Sequence, residues 1–293
     1  MTPSTNVRTA LLLLACSALL FATMGVFIRL ASYTVDNATI VFFRNAIGLI
    51  FILPLVLRFG TTNLKTSKFW MHAWRAVIGL TAMYGFFYAI AHMKLSNAMV
   101  FTYSSPIFIP IVAWLFLKEK VTPWICFTAA LGLVGVLCVA KPDSGLFNQL
   151  SAIGLVASFC AAMAFVTVRA LTDTEPPVRI VFYFCLISTV ISAIPMYWHW
   201  RLYTLQEIGY LIAAGLLATA SQLLLSNAYK LAPAGQIGPA NYLAIIFAGI
   251  WAAILWQEYP DIFNIIGFVI ILIALVLCSP SLQAKFQTKI KAP

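Results

Sequence analysis

The chain has 293 residues, 62% of them hydrophobic and 9% charged, with a mean hydropathy of +0.97. Soluble domains carry roughly 25% charged residues because their surface faces water, so this composition excludes them and makes lipid the solvent. The 18 Lys and Arg outnumber the 8 Asp and Glu, giving a net charge of +10. These cations are scattered through short connections between apolar runs, a pattern that orients membrane proteins and does not suggest nucleic acid.

A helix needs about 20 apolar residues to cross roughly 30 Å of hydrocarbon. The runs near 10–30, 38–57, 70–91, 96–117, 122–140, 150–170, 179–199, 207–229, 234–256 and 261–279 meet that length. The first follows Arg8 as a signal peptide would, yet further spans follow it where a cleavage site would stand. It is therefore expected to be a transmembrane helix. The connections are short, the longest being the polar stretch Arg58 to Phe69, and no soluble domain fits between spans. The cysteines (Cys16, Cys126, Cys138, Cys160, Cys185 and Cys278) fall in apolar runs without metal or disulfide spacing, and no cofactor is expected.

Ten spans put both termini on one side. That side collects Arg8, Arg58, Lys65, Lys68, Arg75, Lys118, Lys120, Arg169, Arg179, Lys230, Lys285, Lys289 and Lys291; the other holds Arg29, Lys94, Lys141 and Arg201. The asymmetry predicts cytoplasmic termini in a multi-pass inner-membrane protein. Arg44 is left inside a span.

The chain also repeats itself. At an offset of 140, Ala22, Val26, Arg29 and Ile40-Val41-Phe42 fall on Ala162, Val166, Arg169 and Ile180-Val181-Phe182. At 139, Tyr103, Phe108, Ile111, Ala113 and Glu119 meet Tyr242, Phe247, Ile250, Ala252 and Glu258. Five spans per copy is odd, so the second copy enters the membrane from the opposite face. The predicted fold class is an all-α membrane protein of two inverted five-helix repeats, 1–147 and 148–280, with a basic tail at 281–293. Inverted repeats of this kind characterise transporters.

The run Phe42-Phe43-Arg44-Asn45, Ser105-Pro106 in span four, and Glu119 leading into Gly132 and Gly135 resemble the drug/metabolite transporter superfamily, EamA type. Tyr242, Glu258 and Gly267 repeat the pattern less faithfully, and the resemblance covers about residues 10–280. It implies a basket of ten helices around a central cavity lined mainly by spans 1, 3, 4, 6, 8 and 9. It further implies cargo drawn from amino acids, other metabolites, nucleotide-like compounds or drugs.

Polar residues within spans are costly unless they face the bundle interior or a water-filled path. Arg44 lies about two turns into span two; it suits a carboxylate or phosphate, or alternatively snorkels or ties helices together. Thr81, Tyr84 and Tyr88 share one face of span three beside Gly85, suited to stacking on a substrate or to packing against neighbours. Span four carries Thr102, Tyr103, Ser104, Ser105 and Pro106, with Pro110 after them; span nine carries Gly238, Pro239, Asn241 and Tyr242. Interruptions in matching places of two halves point to a midplane site, although prolines can also only shape a bundle. Span eight adds Ser221, Gln222, Ser226 and Asn227, with Gln222 expected at the cavity and interhelical bonding as the alternative. The candidate substrate-binding residues are thus Arg44, Thr81, Tyr84, Tyr88, Thr102, Tyr103, Ser104, Gln222, Asn241 and Tyr242. Glu119 and Glu258 sit at span ends and are expected to order loops.

Every acid (Asp36, Glu119, Asp143, Asp173, Glu175, Glu207, Glu258, Asp261) lies at a span end or in a loop. A proton-driven exporter of organic cations typically needs a buried carboxylate, which disfavours that class. Converging catalytic groups are also lacking, which argues against an enzyme. The expectation is an exporter or exchanger of a neutral, zwitterionic or anionic metabolite. A non-transporting receptor or scaffold and a proton-coupled drug exporter remain the alternatives. Expected partners are a small-molecule substrate and the lipid bilayer, without nucleic acid; self-association as a homodimer stays open.

Overall fold

A computed structural model describes residues 3–58, 64–92, 101, 103–141 and 149–277. The tail at 281–293, the junction between the two halves and the first turns expected of the fourth span lie outside the described residues. Among the described residues every regular element is helical: α1 (Pro3–Ala31), α2 (Asn37–Arg58), α3 (Phe69–His92), α4 (Ser105–Leu117), α5 (Pro123–Ala140), α6 (Gln149–Leu171), α7 (Pro177–Tyr197) and α8 (Leu205–Leu231). The interrupted α9 (Ala234–Trp256) and α10 (Ile262–Leu277) follow. Seven of these (α1, α2, α5, α6, α7, α8 and α9) are long and apolar enough to cross a membrane; α4 and α10 are shorter apolar helices.

Local chemistry sets the ends. The Asp36 carboxylate accepts the Ala38 N–H at 2.9 Å and starts α2. Thr122 with Pro123 starts α5, and a Thr204–Glu207 capping box starts α8; each arrangement satisfies helix-end donors that have no intrahelical partner. The helices α4 and α9 end alike, on Lys118 (φ 53°) and Gln257 (φ 57°) in the left-handed region. The next N–H, from Glu119 or Glu258, then folds back on the Ala113 or Ala252 carbonyl at 3.3 and 3.2 Å.

The two halves pack as a pseudo-twofold. The heaviest contacts are α1 with α8 and its counterpart α6 with α3, then α5 with α10 and α2 with α7; α1 with α9 is mirrored by α6 with α4. The start of α5 meets the end of α10, where the Trp124 indole N–H donates to the Leu277 carbonyl at 2.9 Å. At their other ends the Asn264 amide donates to the Val139 carbonyl at 2.8 Å. Likewise Ile52 and Val56, late in α2, pack on Val178, Val181 and Phe184, early in α7. Corresponding helices therefore run antiparallel, which is the inversion expected from the odd number of spans.

Small residues allow the close approaches, as they do between helices in lipid, where no hydrophobic force draws helices together. Ser17 and Ser221 hydrogen-bond each other's carbonyls at 2.9 Å between α1 and α8. The matching place between α6 and α3 holds Ala157 against Gly85, where an added Cβ would lie 2.8 Å from the alanine's. Gly135 and Gly267 bring α5 and α10 so near that a Cβ on Gly267 would lie 2.6 Å from the Gly135 carbonyl oxygen. Ile50, Trp114, Phe116 and Ile254 point outward, the side that meets lipid.

Candidate functional site

The interruptions expected in spans four and nine are present. Tyr103 and Ser104 form a turn before α4 begins at Ser105, and Gly238–Tyr242 is a 3₁₀ stretch within α9. Around them the tyrosines are tied into the scaffold. The Tyr242 hydroxyl donates to the Ala129 carbonyl at 3.0 Å, and its ring covers Gly132, leaving no room for a Cβ there. The Asn241 amide donates to the Tyr229 hydroxyl at 3.1 Å and to the Gly238 carbonyl at 2.9 Å. Tyr103 packs with Tyr242 and Ile246, and Ser104 is buried. Thr102 lies outside the described residues.

On α3 the expected face divides. Thr81 is exposed and donates to the Val77 carbonyl, and Tyr88 is exposed as well. Tyr84 turns inward, its hydroxyl buried and without a hydrogen-bond partner among the described residues.

Arg44 and Gln222 come together. They line one cleft with Asn45, Phe184, Cys185, Ala218 and Thr219, where α2, α7 and α8 meet. The space among these side chains, about 180 Å³ to its open edge, leaves room for about one water molecule. Arg75 of α3 completes the cluster, and sequence reasoning missed it by counting it among the charges beside the cytoplasm. It is 4% exposed, its Nη2 donates to Gln222 Oε1 at 2.7 Å, and its guanidinium carbon lies 3.4 Å from the Phe184 ring centre. The available signal was its depth, nearly two turns inside an apolar helix.

Among the ion pairs that join the halves, which include Lys141 with Asp261, two correspond under the repeat. Arg29, at the end of α1, meets Glu258, after α9, at 2.7 Å. Arg169, at the end of α6, meets Glu119, after α4, at 3.4 Å. Arg29 and Arg169 are equivalent positions, as are Glu119 and Glu258, so each arginine takes the acid of the other half. Glu119 is the more enclosed acid and also accepts the Ala234 and Gly235 N–H groups that open α9, at 3.4 and 3.2 Å. Arg29 lies over the Trp256 ring and, by hydrogen bonding, holds the Glu258 carboxyl below the usual carboxylate range. Beyond loop ordering, both acids therefore tie one half to the other.

An all-helical bundle of opposed halves, with broken helices at its middle and lipid-facing sides, is the build of a membrane transporter of small metabolites. The chain belongs to the EamA-like transporter family, which matches it twice, over residues 8–141 and 150–279. It is similar to the pseudopaline exporter CntI of Pseudomonas aeruginosa, 32% identical over 275 residues that cover 93% of this chain and 96% of that protein. An S-adenosylmethionine uptake transporter of Rickettsia bellii is 27% identical, covering 86% of each chain. A riboflavin transporter of Brucella anthropi is 28% identical, over 85% of this chain and 89% of that one. A crystal structure that is 17% identical covers 97% of this chain and 99% of its own with a TM-score of 0.80, a likeness of fold. Family and relatives point to transport rather than enzymatic activity, in a multi-pass protein of the membrane.

Proposed function

We propose that the chain is an alternating-access exporter or exchanger of a small neutral, zwitterionic or anionic metabolite. Its ten spans form halves 1–147 and 148–280, with both termini and the basic tail in the cytoplasm. The doubled ion pair between the halves carries this reading. An inverted repeat carries each element at both membrane faces, so Arg169–Glu119 serves as the cytoplasmic gate and Arg29–Glu258 as the outer one. A carrier needs two such gates, opened in turn around a central site. A receptor or scaffold has no use for the second. The enclosure of Glu119 against the start of α9 supports a cytoplasmic gate tighter than the outer one.

The named relatives support small metabolites as cargo without selecting one, since their names include an exporter and an uptake transporter. Direction follows the gradient the carrier is given. The test is exchange in proteoliposomes loaded with amino acids, nucleosides, vitamins and organic acids, read by mass spectrometry. Protein-dependent movement of at least one such metabolite is expected. Movement of organic cations alone, with obligatory counter-movement of protons, would contradict the reading.

A further inference from the structure

Among the described residues the two arginines beside the cleft have no counter-ion. Arg44, 6% exposed, has as its described polar partner the Met83 sulfur at 3.7 Å, a weak acceptor. Arg75 spends one N–H group on Gln222, while its Nε and Nη1 have no hydrogen-bond partner among the described residues. Among the described residues no acid pairs with either guanidinium. The acids that are buried are engaged elsewhere: Glu175 with Arg179 and Glu207 with Arg201. The neutral groups of the cleft are occupied too, since the Asn45 amide donates to the Val41 carbonyl at 2.8 Å and the Thr219 hydroxyl to the Gly215 carbonyl at 2.9 Å. The charged donors left unused at this spot belong to the guanidinium groups.

A buried charge without a partner is expensive, and two of like sign near one another are more so. Snorkelling to water does not relieve them, because both are buried. A role in holding α2 against α7 does not explain Arg44 either. Under the 140-residue offset its equivalent is Phe184, so the α7 side of this self-paired crossing presents an uncharged ring where α2 presents a charge. Phe184 also supplies the surface on which Arg75 lies. The guanidinium fork matches the two oxygens of a carboxylate, phosphate or sulfonate, so an arriving oxyanion satisfies idle donors and offsets at least one of the two charges.

We propose that Arg44 and Arg75, the latter bonded to Gln222 of the same cleft, form an oxyanion site that receives a carboxylate or related group carried by the transported metabolite. The proposal rests on the transport reading and narrows its cargo from neutral, zwitterionic or anionic to compounds that bear an anionic group. Because the cleft leaves room for about one water molecule, its walls must part for the ligand to enter.

Cys185 lines the same cleft and reports on it. In a variant with the other five cysteines replaced by serine, reconstituted in proteoliposomes, Cys185 is labelled with two methanethiosulfonates. One carries a sulfonate, itself an oxyanion, and the other a trimethylammonium group; labelling is followed by intact mass and normalised to a free thiol. The sulfonate reagent is expected to react at least about tenfold faster, as two nearby cations demand. Arg44→Gln with Arg75→Gln brings the ratio to about one, while Arg44→Lys with Arg75→Lys keeps the preference. Equal rates in the parent variant, a preference for the cation, or no labelling by either reagent overturns the proposal. Metabolite flux, measured separately, distinguishes the two readings. Flux with no anion preference removes the site and leaves the transporter; anion preference without flux does the reverse.

Discussion

Arg44→Leu separates a ligand-binding arginine from a structural one. On insertion scales an arginine near a helix centre costs about 2.5–3.5 kcal/mol, whereas a leucine contributes about 0.3–0.6 kcal/mol favourably. The exchange is therefore worth roughly 3–4 kcal/mol before the site relaxes. Against this stand a thioether contact at 3.7 Å and a change of side-chain shape, which together cost about 1–2 kcal/mol. Losing the like charge beside Arg75 adds to the gain. The net expectation is a stabilisation of about 1–3 kcal/mol, a rise of about 2–8 °C in the thermal midpoint of the ligand-free protein in detergent. Transport falls at the same time, the trade expected when a binding group is held at the expense of stability. Arg201→Leu is the control, since Arg201 pairs with Glu207 at 2.6 Å and its loss lowers the midpoint. A lowered midpoint in Arg44→Leu with transport intact would refute the reasoning and make Arg44 a tie between helices.

Gly267→Ala sets a Cβ 2.6 Å from a backbone oxygen of α5, which no side-chain movement relieves; a loss of about 1–3 kcal/mol is expected, read by thermal unfolding. Glu258→Gln removes the Arg29–Glu258 ion pair. Because Arg29 lowers the Glu258 pKa from 4.5, the pair contributes fully above that unfolded value and fades as pH falls through the lower folded one. The variant and the parent should differ in midpoint at pH 7 and converge toward acid. The side chains are 38% and 52% exposed, so the difference stays below about 1 kcal/mol; a difference that grows toward acid contradicts the pairing. Tyr242→Phe removes the hydroxyl that donates to the Ala129 carbonyl and should cost about 1 kcal/mol of stability.

Much of the fold was legible because lipid leaves a chain few choices. Apolar length marks a helix, and the prolines at 106 and 239 marked where α4 begins and α9 breaks, since proline lacks the donor that continues a helix. The repeat was legible as an offset, and it placed Arg29 with Arg169 and Glu119 with Glu258 as equivalents. That Arg29 meets Glu258 and Arg169 meets Glu119 was not legible, because partners lie across the repeat while an offset reveals only counterparts. Arg75 was hidden for a related reason. Hydropathy records how deep an arginine sits and not which way it turns; Phe184 and Gln222, far away in the chain, decide that. On α3 the spacing of Thr81, Tyr84 and Tyr88 identified a face, yet only packing against α6 and α7 determines what that face meets. Thr81 and Tyr88 ended outside, and Tyr84 within.

Locking the two gates separately tests alternation most directly. Cysteine pairs replace Arg29 and Glu258 in one variant and Arg169 and Glu119 in another, each is bridged by a short bifunctional thiol reagent, and metabolite exchange in proteoliposomes is compared with the unbridged protein. If the halves rock about a central site, either bridge alone stops exchange. Exchange that continues with one gate bridged would show that the halves do not alternate there.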